Sequence, residues 1–193
     1  MKYLIISLLF VCTSGWTQTK KKAAPPKPAA TKTTVATAKP SAVVKATTAA
    51  EWDELDKTFI AFFKALESQN KPSFNAISLK MVDCAECPAS GEAGDVMHFV
   101  PAEVFYITVA SDFKKSPVYK ALIKRGYAFN SMILKDFKPA FLPKDASADL
   151  KVYEVWVQTY KPDEICKGHK GTSHAFQFVK VNGVFKFFGL TYQ

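Results

Sequence analysis

The chain has 193 residues, 26 basic and 17 acidic side chains and a formal net charge of +9. Eight of the basic residues are lysines within the first fifty positions, which hold no acid, so eighteen cations face 17 acids in the remainder. A nucleic-acid-binding domain is thereby excluded, because its cations would have to sit on the folded part and interleave with aromatics.

Lys2, the apolar run Tyr3 to Cys12 and the small residues Thr13-Ser14-Gly15 have the three-part form of a secretory signal, expected over residues 1–17. The run is too short to span a bilayer. Residues 18–47 are dominated by Lys, Pro, Ala and Thr; so little apolar bulk cannot offset ordering entropy, and a disordered linker is expected. Its lysines could touch an anionic envelope surface, or the segment could be a plain spacer. The implied localisation is secreted or periplasmic.

Order is expected over 48–193. Thr48 and Glu51 are spaced as a capping box, and Trp52, Leu55, Phe59, Phe62, Phe63 and Leu66 recur at helical spacing, which predicts an amphipathic helix that Pro72 closes. Phe74 and Ile77 suggest a second short helical turn, and Leu79 to Val82 a brief strand. Pro88 to Asp95 reads as a loop. Pro101 could open a helix with Val104, Phe105, Thr108 and Val109 inward, although Val104 to Val109 also suits a strand. Pro117 and Gly126 bracket a further helix. Strands follow at Tyr127 to Asp136, Val152 to Tyr160, Ala175 to Val181 and Val184 to Tyr192. Asn182-Gly183 predicts a two-residue hairpin that pairs Val181 with Val184, Lys180 with Phe185, Val179 with Lys186 and Phe178 with Phe187. Phe176, Phe178, Phe185 and Phe187 then share one face with His174.

The first-helix residues Phe59 to Leu66 and the aromatic hairpin Phe176 to Gly189, in that order along the chain, resemble the layout of the nuclear transport factor 2-like, or cystatin-like, α+β cone. The resemblance implies a single α+β domain with N-terminal helices packed on a curved antiparallel sheet, and a pocket between sheet and helices. That superfamily hosts enzymes, ligand binders and interaction modules, so the layout alone selects none of them.

Cys84-x2-Cys87 and Cys166-x2-His169 are the residues with specific chemistry. Three thiolates and an imidazole could close a tetrahedral structural zinc site. In an oxidising compartment the alternative is a disulfide among Cys84, Cys87 and Cys166, with no cofactor at all. His174 and His98 could serve as general bases; Trp156, His174 and Phe178 are candidate ligand-binding residues. No phosphate loop, nucleophile elbow or paired zinc-protease histidines are found. The reading is an exported, non-enzymatic module of the cell envelope that binds a small molecule or an envelope protein. The alternatives are an envelope enzyme in which His174 and Glu154 converge in one cleft, and a tethered structural domain with a zinc or disulfide clasp.

Overall fold

In the computed structural model, residues 47–85, 87, 98–143 and 149–193 are described. The chain divides into two units, Met1–Val43 and Val44–Gln193, and every described residue belongs to the second. The leader over 1–17 and the lysine-rich segment up to residue 46 lie outside the described residues, as does most of the loop after Cys87.

Helix α1 (Ala49–Glu67) begins at the expected capping box: Glu51 N–H donates to Thr48 Oγ1 at 3.3 Å and Thr48 N–H to Glu51 Oε2 at 3.0 Å. These bonds satisfy amides that the first helical turn leaves without partners. Leu55, Phe59, Phe62, Ala65 and Leu66 form the buried stripe. Pro72 does not close this helix. The chain leaves it at Gln69, with φ at 53°, and Asn70 caps α2 (Lys71–Ile77) with Pro72 in its first turn. A proline costs nothing there, because the first-turn amides have no intrahelical acceptor.

Strand β1 (Ser78–Cys84) pairs with the short β2 (Phe99–Pro101). The ambiguous segment after Pro101 is helix α3 (Ala102–Ala110), which buries Ala102, Phe105 and Ala110. Val104 and Thr108, expected inward, are exposed. A 3-10 turn at Phe113–Lys115 leads into α4 (Pro117–Arg125), capped by Ser116 and stopped at Gly126, whose φ is 74°. Strands β3 (Ala128–Leu134), β4 (Leu150–Tyr160), β5 (Thr172–Val181) and β6 (Val184–Tyr192) complete an α+β fold.

The six strands run in the order β2-β1-β6-β5-β4-β3. The sheet is open and mixed rather than wholly antiparallel, because β1 lies parallel to β6. The hairpin has the expected register from Val181↔Val184 to Phe178↔Phe187, with Asn182 and Gly183 at φ of 50° and 79°. A bulge then shifts the pairing to Gln177↔Gly189 and Phe176↔Leu190.

All four helices cover one face of the sheet. There Phe62 stacks on Phe187 at 4.3 Å, and Phe59 packs on Phe176 at 5.5 Å and Phe178 at 6.3 Å. Such rings bring the largest apolar areas a side chain can bury. The outer face carries a smaller cluster of Leu142, Leu150, Val152, Val179 and Phe188, against which Phe137 and Phe141 pack.

Candidate functional site

The inner face does not fill completely. Where the end of α3, the 3-10 turn and the start of α4 meet β5 and β6, a cavity of about 240 Å³ remains, walled by Val109, Phe113, Pro117, Val118, Phe176 and Leu190 with Ser116 and His174 as its polar members. Local geometry explains its shape. Ser116 Oγ donates to Phe113 O at 2.6 Å and accepts from Tyr119 N–H at 3.1 Å, which holds the turn tight. Phe113 is anchored from behind by Phe63 and Tyr119. Apolar walls with few polar groups suit a ligand that is itself mostly apolar.

His174 sits at the start of β5, opposite Val157 of β4 and Tyr192 of β6. Its Nδ1 lies 2.6 Å from Thr159 Oγ1. The tautomer decides which of the two donates. The expectation that His174 shares the core face of the hairpin is met, and it lines the cavity.

The other candidate ligand-binding residues do not reach it. Phe178 is fully buried among Phe59, Phe62 and Phe187, so it is core. Trp156 points to the outer face, because its neighbour Val157 takes the inner one. Glu154 lies on that outer face too, only 1% exposed. Its Oε2 accepts from Asn130 Nδ2 and Trp156 Nε1, each at 2.9 Å, and its Oε1 from Gln177 Nε2 at 3.2 Å. His174 and Glu154 are therefore on opposite sides of the sheet, which overturns the acid-base pair proposed from the sequence. Strand parity was the signal that could have separated them: paired with β5, Glu154 stands opposite Gln177 while Val157 stands opposite His174.

The four residues of the proposed clasp are not brought together. Cys84 and Cys87 have their Sγ atoms 2.10 Å apart, at bonding distance, and both are buried. Cys166 is exposed, in the loop between β4 and β5. His169 shares that loop, its Nδ1 accepting from Gly171 N–H at 3.0 Å. Among the described residues no three His, Cys, Asp or Glu side chains are grouped to hold a metal. His98 approaches Asp83 instead, donating its backbone N–H to Asp83 Oδ1 at 2.7 Å. Burial pushes the Asp83 carboxyl above its ordinary range, against the opposing pull of that hydrogen bond.

Sequence reasoning missed Thr159 and the wall residues Phe113, Val118 and Leu190. Leu190 enters the site because of the bulge, which no turn signal announces. A neighbouring groove of about 260 Å³ between α4 and the end of β4 was also missed; it is lined by Lys120, Lys124, Arg125, Thr159 and Glu164 among others. A third hollow lies on the outer face by Leu142, Leu150 and Val179.

No protein-family model and no curated protein matches this chain. Among solved structures it is similar to a nuclear transport factor 2-like protein of unknown function from Methylobacillus flagellatus KT, at 15% identity and a TM-score of 0.36, over 76% of this chain and 93% of that one. A second nuclear transport factor 2-like protein of unknown function, from Shewanella baltica OS155, matches at 9% identity and a TM-score of 0.33, over 77% and 97%. A domain of unknown function with a cystatin-like fold from Nostoc punctiforme PCC 73102 matches at 14% and 0.36, over 76% and 78%.

Proposed function

We propose that this chain is an exported, non-enzymatic module that binds a small, largely apolar ligand in the cavity between the α3–α4 turn and strands β5 and β6. The apolar cavity itself carries the reading: its described lining is apolar except for Ser116 and His174. The hydrogen bond between His174 Nδ1 and Thr159 Oγ1 fixes the imidazole at the cavity edge, where it can orient a bound ligand. Export is supported by the signal-like first residues and by Cys84 and Cys87, which we read as a disulfide of an oxidising compartment.

The test is titration with a neutral, environment-sensitive dye such as Nile red. Saturable one-to-one binding is expected, and Val109→Trp, which fills the cavity from its half-buried rim, should abolish it while circular dichroism stays unchanged. Dye binding that does not saturate, or that survives in the folded variant, would overturn the proposal.

A further inference from the structure

The cavity and the groove adjoin. Pro117 lines both, and the 2.6 Å contact between Thr159 and His174 joins a groove residue to a cavity residue. The cavity is apolar and the groove is charged. At about 240 and 260 Å³ each falls short of an ordinary ligand pocket of roughly 300–1,000 Å³; side by side they come within it.

The sign of the groove follows from a census of its charges. Arg125 is fully committed: Nη1 donates to the carbonyls of Gln158 and Thr159, each at 2.8 Å, and Nη2 to the two oxygens of Glu164 at 2.5 and 2.7 Å. Glu164 is committed in turn. It also accepts from Lys161 N–H at 2.6 Å, and that bond, followed by Arg125, holds its carboxyl below the usual range. This pair cancels. Lys120 and Lys124, one helical turn apart and thus on the same face of α4, add two positive charges, so the groove is net positive even though Lys124 also acts on Glu164. Both lysines are exposed. Exposed helix lysines are ordinarily just solvated. These two differ in lining a groove that abuts an apolar cavity, on a wall held rigid by the Arg125 fork.

We infer that the ligand is an amphipathic anion, whose apolar body occupies the cavity and whose oxyanion head, a carboxylate or a phosphate monoester, sits between Lys120 and Lys124. The inference rests on the cavity reading above and deepens it. Lysine is suited to the task, as a point charge on a flexible stem that follows a head group without demanding one geometry.

The experiment compares octanol, octanoate and octyl phosphate by calorimetry on the whole chain, at low and high salt, with the parent and with Lys120→Gln/Lys124→Gln. At least one anion is expected to bind about fivefold tighter than octanol at low salt, a gain in keeping with two exposed charge contacts. In the double variant and at high salt that preference should vanish while octanol affinity stays the same. Octanol binding as tightly as both anions, or an anion preference that survives in the double variant, would overturn this inference and leave the cavity reading standing. Failure of all three probes to bind the folded parent would overturn both.

Discussion

Gly189 and Asp83 stand so close across the β1–β6 pair that a β-carbon on the glycine would lie 2.6 Å from the Asp83 β-carbon and 2.8 Å from its carbonyl oxygen. No side chain fits there without moving a strand. Gly189→Ala is expected to destabilise the fold by about 1–3 kcal/mol, the usual cost of overpacking a filled interior. Urea unfolding measures it; a midpoint equal to the parent's would show that β1 can shift freely.

Glu154 makes a second, separable prediction. Its carboxylate gathers N–H donors from exposed Asn130, half-buried Trp156 and buried Gln177, and deleting it leaves the buried Gln177 amide without that acceptor. Glu154→Ala should lower stability by about 2–4 kcal/mol, while ligand binding in the folded fraction stays unchanged because the cavity is across the sheet. Loss of binding in a variant shown to be folded would place Glu154 in the site after all.

Asp83 gives a pH dependence of defined sign. Its folded-state pKa is raised above the ordinary 3.8, chiefly by burial, so the folded chain binds the extra proton over a window that opens near 3.8. The contribution of Asp83 to stability is therefore complete below that value and is lost as pH rises through the folded one. Asp83→Asn keeps an acceptor for His98 N–H and carries no charge. Its unfolding midpoint should gain on the parent's as pH rises above 3.8; parallel curves would remove burial as the cause.

Cys84 and Cys87 are three positions apart, and closing so short a loop is worth about 2 kcal/mol in the chain-entropy account. Intact mass under non-reducing conditions should show a deficit of two hydrogens that persists in Cys166→Ser and disappears in Cys84→Ser/Cys87→Ser. A deficit abolished by Cys166→Ser would restore a long-range link between the two cysteine segments.

What could be read from the residues was local. The capping box at Thr48 and the hairpin at Asn182-Gly183 follow from chemistry within four residues, and both appear with the expected bonds and register. Pro72 was misassigned because its chemistry forbids a helix interior but welcomes a helix start, and the deciding residue, Gln69 with its positive φ, carries no glycine to mark it. The parallel seating of β1 on β6 depends on residues about a hundred positions apart. The site suffers most from this: His174 was legible as a candidate ligand-binding residue on the core face of the hairpin, but the cavity walls come from α3, α4 and the far side of a bulge. Glu154 and Trp156 look like pocket residues because acids and tryptophan are rarely buried on an outer face, and here a cluster of loop and strand residues beside them keeps that face dry.

The place of β6 has a bearing on how the chain folds. It is the latest of the six strands in chain order, yet it is the seam between the β2-β1 pair and the β5-β4-β3 meander. The two-residue hairpin joins β6 to β5 locally, so the long-range step that unites the sheet is the parallel seating of β1 on β6, which also brings β1 and α2 beside Phe187. The chain entropy of the roughly hundred residues between β1 and β6 has to be surrendered before that pair yields any contact, a non-local closure of the kind that slows folding.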